Sequence, residues 1–514
     1  MNAAPAPLSL EELKSFLWGA ATLLRGQIDA SGYKEFIFPL LFFKRISDVY
    51  DEQFGVYLDE SGGDAEYAAE QEYPVRIPSG CLWRDVRKCA ENVGRRLVDA
   101  FTRIESANPP RRVDGLDVGG LSGIFGDKSG WLNKNKMPDA IVRSLVEHFS
   151  RHNLSLAACP ADEMGLAYEY LIGQFANDAG HTAQEFYTNR TVVELMAEML
   201  RPAPGETLYD PTCGSGGMLV KSLEYVRNRG GAWRSVRVFG QEVNALTSAI
   251  ARMNLYLHGV EDFSVACADT LAAPAFTDGG AVRRFDVVLA NPPYSIKDWD
   301  RASFEHDRWG RNTLGTPPQG RADYAFLQHI LASLDRRTGR AAVLLPHGVL
   351  FRQEEREMRR KLVESDLVEA VVGLGANLFF NSPMEACILV LRTRKSPARR
   401  NRILFVNAVL EVARRNAESF LEDAHRERIL AAYRDDDPKP GFSRSVPVSE
   451  IEGKDWSLSI PLYVAPPAEA DGADAPCPPL PDALAAWEEN RPALAESLAA
   501  LDAWLEPASK EDAR

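Results

Sequence analysis

Cysteine is scarce and scattered: the seven residues stand at 81, 89, 159, 213, 267, 387 and 477, with no C-x-x-C pair and no regular spacing. That pattern supports neither a zinc site nor a disulfide framework. The eight histidines include no H-E-x-x-H, so a metal-dependent mechanism has no support. Long apolar runs are missing as well. The longest, Phe36 to Phe43, is interrupted by Pro39 and falls far short of a bilayer crossing. The opening residues, MNAAPAPLSLEELK, lack the basic flank and apolar stretch of a secretory signal. These absences lead us to expect a cytoplasmic chain with no membrane partner and no metal.

An excess of positive charge is also lacking. The 59 basic and 73 acidic side chains leave a net charge of −14, a field that repels a polyanion on average. Charge alone therefore argues against a nucleic-acid enzyme. What is present is ordinary: 45% apolar and 26% charged residues, as in soluble globular proteins. A chain of 514 residues is too long for one core and predicts two or three domains.

Residues 8 to about 175 read as helical. Ser9 and Glu12 form a capping box, and Leu10, Leu13, Phe16, Leu17, Ala20 and Leu24 follow at helical spacing. DEMGLAYEYLIGQFA, from Asp162 to Ala176, predicts a second helix, while Glu60 to Gly80 and Asn108 to Gly130 read as loops. From Gly205 the pattern changes. ETLYD, RVFGQE, FDVVLANPP, AAVLLP, EAVVGL and ACILVLRT are short β-rich runs, and helical stretches alternate with them. This alternation predicts an α/β fold with a largely parallel sheet covered on both faces, and ligand sites at the carboxyl ends of its strands. Residues 464–482 form a Pro/Ala-rich linker, and Leu484, Trp487, Leu494, Leu498, Leu501 and Leu505 then form an apolar seam. The basic run RTRKSPARRNR, 392–402, reads either as a phosphate contact or as a solvated loop.

Each candidate site residue falls at the end of such a strand. Asp210-Pro211-Thr212-Cys213-Gly214-Ser215-Gly216-Gly217 is a tight loop in which the glycines let backbone approach a ligand. No Gly-Lys-Ser/Thr follows it and G-x-G-x-x-G does not fit, which sets aside the phosphate-binding loops. Glu242 ends the next strand and is suited to accept from both hydroxyls of a ribose. Asp269, followed by Thr270, ends the third and is suited to accept from an adenine amino group. Asn291-Pro292-Pro293-Tyr294 follows FDVVLA. Its prolines fix the backbone and remove N–H donors, so the Asn291 side-chain oxygen and the Pro292 carbonyl are both free to accept from one planar amine. Tyr294 is placed to stack on the ring that carries that amine. Holding both amine protons favours a pyramidal nitrogen open to alkylation.

DPTCGSGG followed by NPPY resembles the Rossmann-type methyltransferases that act on exocyclic or amide nitrogen. QEFYTNRTVVELM, 184–196, resembles the segment that leads the cofactor domain in the gamma order of N6-adenine methyltransferases. With Asp162 to Tyr187, LFFKRISDVYDEQ (41–53) and LPHGVLFR (345–352), the chain resembles type I restriction–modification modification subunits over most of residues 8–465. The resemblance implies a helical N-terminal domain at 1–175, a methyltransferase domain at 176–463 and a C-terminal docking segment at 483–514. It implies S-adenosyl-L-methionine held by Gln184, Glu185, Phe186, Tyr187, Thr188, Asn189, the Asp210 loop, Glu242, Asp269 and Thr270. It implies a flipped adenine held by Asn291, Pro292, Pro293 and Tyr294, with Phe380 in the base pocket. Two departures stand out: Asn189 replaces the family's usual proline, and Ser382-Pro-Met-Glu385 replaces the usual late motif.

The implied partners are double-stranded DNA, a specificity subunit shared by two modification subunits, and a restriction subunit that translocates and cleaves. With no evident recognition domain and a repelling charge, the chain is expected to hold DNA weakly alone. Two rival readings are a protein glutamine methyltransferase, which suits the same Asn-Pro-Pro-Tyr clamp, and a scaffold subunit with a silent site.

Overall fold

Ser9 accepts from the backbone N–H of Glu12, and Glu12 accepts in return from the Ser9 backbone, which starts the first helix where the sequence places it. The computed structural model describes residues 8–178, 188–376, 378, 385–415, 418–435 and 439–464. Among these, the N-terminal helices are α1 (Leu10–Leu24), α2 (Lys34–Glu60), α3 (Ala65–Glu70) and α4 (Trp83–Arg87). They continue with α5 (Val93–Ala107), α6 (Ser129–Leu132), α7 (Asp139–Phe149) and α8 (Ala161–Asp178). One aromatic-rich core joins them: Phe36, Phe38, Phe42 and Phe43 of α2 are buried, and Phe101 stacks on Phe125 at 4.2 Å. The apolar run around Pro39 lies inside α2, and no helix among the described residues is long and apolar enough to cross a membrane.

Both stretches read as loops contain structure. Asp64 accepts from the N–H groups of Glu66 and Tyr67 and so caps α3. Between Asn108 and Gly130 lie a hairpin of β1 (Arg111–Val113) and β2 (Leu116–Val118), and the start of α6. Its turn, Asp114-Gly115, has both φ angles positive, at 51° and 78°. That is the two-residue turn whose twist suits a hairpin, which the reading of this stretch as a loop did not draw out.

The remaining elements build an α/β layer. Its strands are β3 (Thr207–Asp210), β4 (Arg237–Glu242), β5 (Phe263–Cys267), the small hairpin β6 (Thr277–Asp278) and β7 (Ala281–Val282), and β8 (Val287–Ala290). They continue with β9 (Arg340–Pro346), β10 (Val368–Leu374), β11 (Ala386–Arg392), β12 (Arg402–Ala408), a second small hairpin β13 (Ala413–Arg415) and β14 (Glu418–Phe420), and β15 (Ser443–Pro447). The helices are α9 (Arg190–Leu200), α10 (Gly217–Asn228), α11 (Ala245–Leu257) and α12 (Arg301–Glu305). After them come α13 (Asp323–Ala332), α14 (Arg356–Glu364), α15 (Asp423–Arg434) and α16 (Val448–Gly453).

Nine strands make one sheet in the order β15-β12-β10-β11-β9-β8-β3-β4-β5. The sheet is parallel except where β11 runs against both neighbours and β15 closes the edge antiparallel to β12. Side chains alternate across it as the two-residue period demands. Leu208, Val238, Leu289 and Leu344 enter the core beneath α9, α10 and α15, while Tyr209, Phe239, Val288 and Val343 enter the core beneath α13, α14 and α16. The basic run 392–402 belongs to this frame. Arg392 pairs with Glu369 at 2.9 Å, Lys395 with Asp366 at 2.6 Å, and Arg402 donates to Ser445. These partners hold Arg392, Lys395 and Arg402 against the sheet, while Arg394 and Arg400 between them are exposed.

Residues up to Val464 form one compact unit. Helix α11 is shared: Ala251 and Leu255 enter the sheet core, whereas Ile250, Met253 and Leu257 enter the N-terminal core. Gly165 of α8 touches the end of α11 so closely that a Cβ would lie 2.4 Å from the ring of His258. Overpacking of this kind costs about 1–3 kcal/mol. Gly165→Ala is therefore expected to lower the denaturant midpoint. An unchanged midpoint in equilibrium unfolding would show that the seam is looser than this packing implies. The linker, the seam from Leu484 to Leu505 and the segment 483–514 lie outside the described residues, apart from Val464.

Candidate active site

The chain winds outward from β3 through β4 to β5, then returns to place β8 on the other side of β3. The carboxyl ends of β3 and β8 are thereby neighbours at the point where the winding reverses, where such sheets leave a crevice. Asp210 ends β3 and Asn291 follows β8. A cleft between them is lined by Thr188, Asp210, Thr212, Gly214, Ser215, Gly217 and Asn291, seven of the residues singled out in the sequence.

The loop after β3 is held from several sides. Gly214 and Gly216 have φ of 52° and 80°, in the left-handed region that glycine tolerates. Asp210 is buried and its Oδ1 accepts from the Thr212 N–H at 3.0 Å. Burial raises its carboxyl to a pKa of about 8; the Thr212 N–H opposes the rise and the nearby Glu242 adds to it. Glu242 accepts from Gly214 N–H at 3.1 Å through one oxygen and from Asn244 N–H at 2.8 Å through the other. It therefore shapes the glycine loop, and a carboxylate retains further lone pairs for a ligand.

Thr270 donates its hydroxyl to the Pro211 carbonyl at 2.5 Å, so it pins the loop from behind. Asp269 is exposed and its Oδ1 accepts from the N–H groups of Leu271 and Ala272. Glu242, Asp269 and Thr270 thus surround the loop without lining the cleft beside Asp210.

Asn291 is held by a side-chain bond: its Nδ2 donates to the Thr188 hydroxyl at 3.1 Å. Its Oδ1 is buried and accepts from no group among the described residues. Pro292 is buried, Pro293 exposed and Tyr294 half-buried, with the tyrosine hydroxyl turned inside. Burial, with Cys387 and Asp323 nearby, pushes that hydroxyl's pKa well above its ordinary value, so Tyr294 stays neutral. Asn189 caps α9, accepting from Thr191 N–H at 3.0 Å, and donates to the Ser419 carbonyl at 2.8 Å. A proline at 189 has no side chain able to make either bond, which gives the departure there a local structural reason. Gln184, Glu185, Phe186, Tyr187, Phe380 and Ser382 lie outside the described residues.

The cleft has further walls that the motifs did not reveal. Glu169 and Ile172 of α8, Arg190 and Val193 of α9, Lys221 of α10 and Asn254 of α11 also line it. Glu169 is buried and pairs with Arg190 at 2.8 Å; Lys221 pairs with Glu224 at 2.6 Å. An acid on the buried side of an otherwise apolar helix, as in AYEYL, was the available signal for Glu169. Thr212 Oγ1 and Asn254 Oδ1 are buried with no hydrogen-bond partner among the described residues. Together with Asn291 Oδ1 they leave unsatisfied polar oxygens at the cleft, which fits a ligand rich in N–H donors.

The family model for N-6 DNA methylases matches residues 160–472. The chain belongs to the N-6 DNA methylase family. The model for the HsdM N-terminal domain matches residues 13–149. The chain is 30% identical to the type I restriction enzyme MjaVIII methylase subunit of Methanocaldococcus jannaschii, across 91% of its own length and 80% of that protein's. It is 31% identical to the HindI methylase subunit of Haemophilus influenzae, across 74% of its own length and 84% of that protein's. A solved type I methyltransferase subunit from Streptococcus thermophilus superimposes with a TM-score of 0.75 at 29% identity, covering 89% of this chain and all of that one.

This N-6 DNA methylase transfers a methyl group from S-adenosylmethionine to adenine N6 in DNA. Neither the glutamine methyltransferase reading nor the silent scaffold finds support.

With Asp210 on the wall of the cleft, cofactor binding there is expected to depend on pH. Its folded pKa of about 8 means that the free protein holds a proton there at neutral pH. A cofactor with cationic sulfonium and ammonium groups favours the ionised acid, so binding releases that proton and tightens as pH rises toward 8. Calorimetry at neutral pH in two buffers of different ionisation enthalpy should show this release, and Asp210→Asn should abolish it. Identical heats in both buffers for the unaltered chain would contradict the linkage.

Proposed function

We propose that this methylase is the modification subunit of a type I restriction–modification complex. In this reading Asn291 and Pro292 accept the two protons of a flipped adenine's amino group, and Tyr294 stacks on its ring. The observation that carries it is the orientation of one carboxamide. Thr188 takes the amide N–H of Asn291, which leaves the buried oxygen as the free acceptor beside the Asp210 loop. An exocyclic amine supplies the donor that this oxygen lacks and, in this reading, a second one to the Pro292 carbonyl. Pro293 has no N–H to compete and keeps the loop backbone fixed. Because the reacting atom lies inside the duplex stack, the base must leave it.

S-adenosylmethionine supplies the electrophilic methyl group. Asp210, Pro211, Thr212, Gly214, Ser215, Gly216 and Gly217 would hold its methionine end, and Glu242 and Asp269 its ribose and adenine. Thr270 braces the loop. Val243 directly follows Glu242 and is 66% exposed, an apolar surface on which a planar base can rest. Thr188 and Asn189 join this site just before α9, and the roles read for 184–187 and Phe380 fall outside the described residues.

The assembly follows the curated relatives, which are named as methylase subunits. The partners in this reading are double-stranded DNA, a specificity subunit joined to two modification subunits, and a translocating restriction subunit. Charge favours such sharing. Residues 465–514 hold eleven acidic and three basic side chains, so more than half of the −14 lies in the last fifty residues. The repulsion is concentrated there, and a basic partner would offset it.

Asn291→Ala should retain S-adenosylmethionine affinity yet lose methyl transfer. Loss of one transition-state hydrogen bond costs on the order of 10²–10³ in rate. Thr188→Val, which frees the carboxamide to rotate, should fall between this variant and the wild type. Wild-type transfer by Asn291→Ala to unmethylated genomic DNA would end the proposed role of the loop.

Deleting residues 481–514 should leave cofactor binding intact but prevent co-purification with the specificity subunit. Normal assembly of the truncated chain, or efficient site-specific methylation by the full chain alone, would overturn the proposed dependence on that partner.

A further inference from the structure

LPHGVLFR, 345–352, lies across the sheet from the cofactor loop and has no role in the chemistry described so far. Its last residue, Arg352, reaches a buried pair of acids. Its Nη1 donates to Asp323 Oδ2 at 2.8 Å and lies 3.4 Å from Glu355. Both carboxylates are inaccessible: the Asp323 side chain is 1% exposed and that of Glu355 0%. The other oxygen of Asp323 accepts from the backbone N–H of Ser295 at 2.9 Å. Ser295 is the residue directly after Tyr294, and its φ is 52°. A non-glycine residue in this left-handed region costs about 1 kcal/mol or more and persists only where its surroundings hold it.

The surroundings are built to keep Arg352 in place. A Cβ at Gly348 would lie 2.4 Å from its Nε, so only glycine leaves room for the guanidinium there. Tyr324, the neighbour of Asp323 on α13, donates to the Val349 carbonyl at 3.2 Å. Arg359 of α14 donates to the Arg352 carbonyl at 2.8 Å and to the Trp456 carbonyl at 3.0 Å. Burial raises the Glu355 carboxyl to about 7 against the pull of Arg352, so near neutrality Asp323 is the firmer partner of the guanidinium.

We propose that Asp323 and Arg352 are positioning residues for the catalytic loop. They lock Ser295 in its left-handed turn, and this fixes where Asn291, Pro292 and Tyr294 meet the target base. The inference rests on the role given to that loop above. Neither residue lines the cofactor cleft. Their influence on rate passes through the direction in which the chain leaves Tyr294. Arg352 matters because it orients Asp323, and Asp323 because it accepts from the Ser295 N–H.

The test is a double-mutant cycle on the full chain assembled with its partner, assayed for methyl transfer to unmethylated genomic DNA. Arg352→Met strands the Asp323 carboxylate and should lower kcat by about tenfold or more, since small misplacements of reacting groups have effects of this size. Calorimetric affinity for S-adenosylmethionine should stay within about twofold, because the cofactor loop is untouched. Adding Asp323→Asn should recover most of the rate. Its amide oxygen still accepts from Ser295, and the stranded charge at 323 is gone.

If Arg352→Met fails to fold, the single variants decide. Asp323→Asn should keep most of kcat, while Asp323→Ala should lose it at unchanged cofactor affinity. Three results overturn the proposal: wild-type kcat in Arg352→Met or Asp323→Ala, no recovery in the double variant, or a fall in cofactor affinity that matches the fall in rate. Asn291→Ala serves as the control. If it is inactive while Arg352→Met is unimpaired, only the positioning role falls. If it is fully active, the reading of the loop itself falls.

Discussion

A parallel sheet can add strands to only one side at a time, and each connection covers the face it crosses. Here the chain exhausts one side of β3 before it starts the other. No crossover therefore roofs the carboxyl ends of β3 and β8, and two loops far apart in sequence open into the same gap. Everything chemical in the molecule depends on that gap. The Asp210 loop enters it from one strand and Asn291 from the other. Helix α9 delivers Thr188 to its rim, where a single hydrogen bond turns the Asn291 amide.

The loop between β3 and α10 is shaped by acids rather than by cations. Glu242 gathers the N–H groups of Gly214 and Asn244, and Asp210 takes that of Thr212. Two carboxyl groups this close to one another in a buried place oppose each other's ionisation. Such a pair of acids favours a cationic group beside the loop, which suits a sulfonium cofactor. The polyanionic substrate must be met elsewhere on the surface. The charged side chains nearest the sheet core are largely consumed in internal pairs, as the run from Arg392 to Arg402 illustrates.

Much of the architecture was legible because burial imposes period. The strands from ETLYD to ACILVLRT carry apolar residues on successive positions, as strands covered on both faces must. The Asn-Pro-Pro-Tyr loop was legible because two adjacent prolines restrict backbone in few other ways. Less visible were elements whose signals are short. The Asp114-Gly115 turn passed as one more loop, β15 lay in a stretch with weaker contrast, and β12, RILFVNA, went unread despite its apolar run. At the site, motif residues stood out by their position after strands. Arg190, Lys221 and Asn254 sit within helices, where nothing local separates a lining residue from a core or surface one; only Glu169, an acid in an apolar helix, carried a signal. Glu242 and Thr270 were read from sequence as cofactor ligands at strand ends, and the fold shows that each bonds to the backbone of the loop.

Helix α11 has no face of its own. Ala251 and Leu255 belong to the sheet, Ile250 and Met253 to the N-terminal bundle, and Asn254 between them donates to the Ser215 carbonyl in the glycine loop at 3.0 Å. The two halves of the molecule are thus inseparable by simple cutting. A fragment beginning near residue 180 would carry an unpaired apolar stripe one residue from the cofactor loop's support. Exchange of N-terminal bundles among relatives would succeed only where the stripe travels too. Inheritance of the two halves is expected to be joint, with α11 as the part that records which bundle each catalytic layer grew up with.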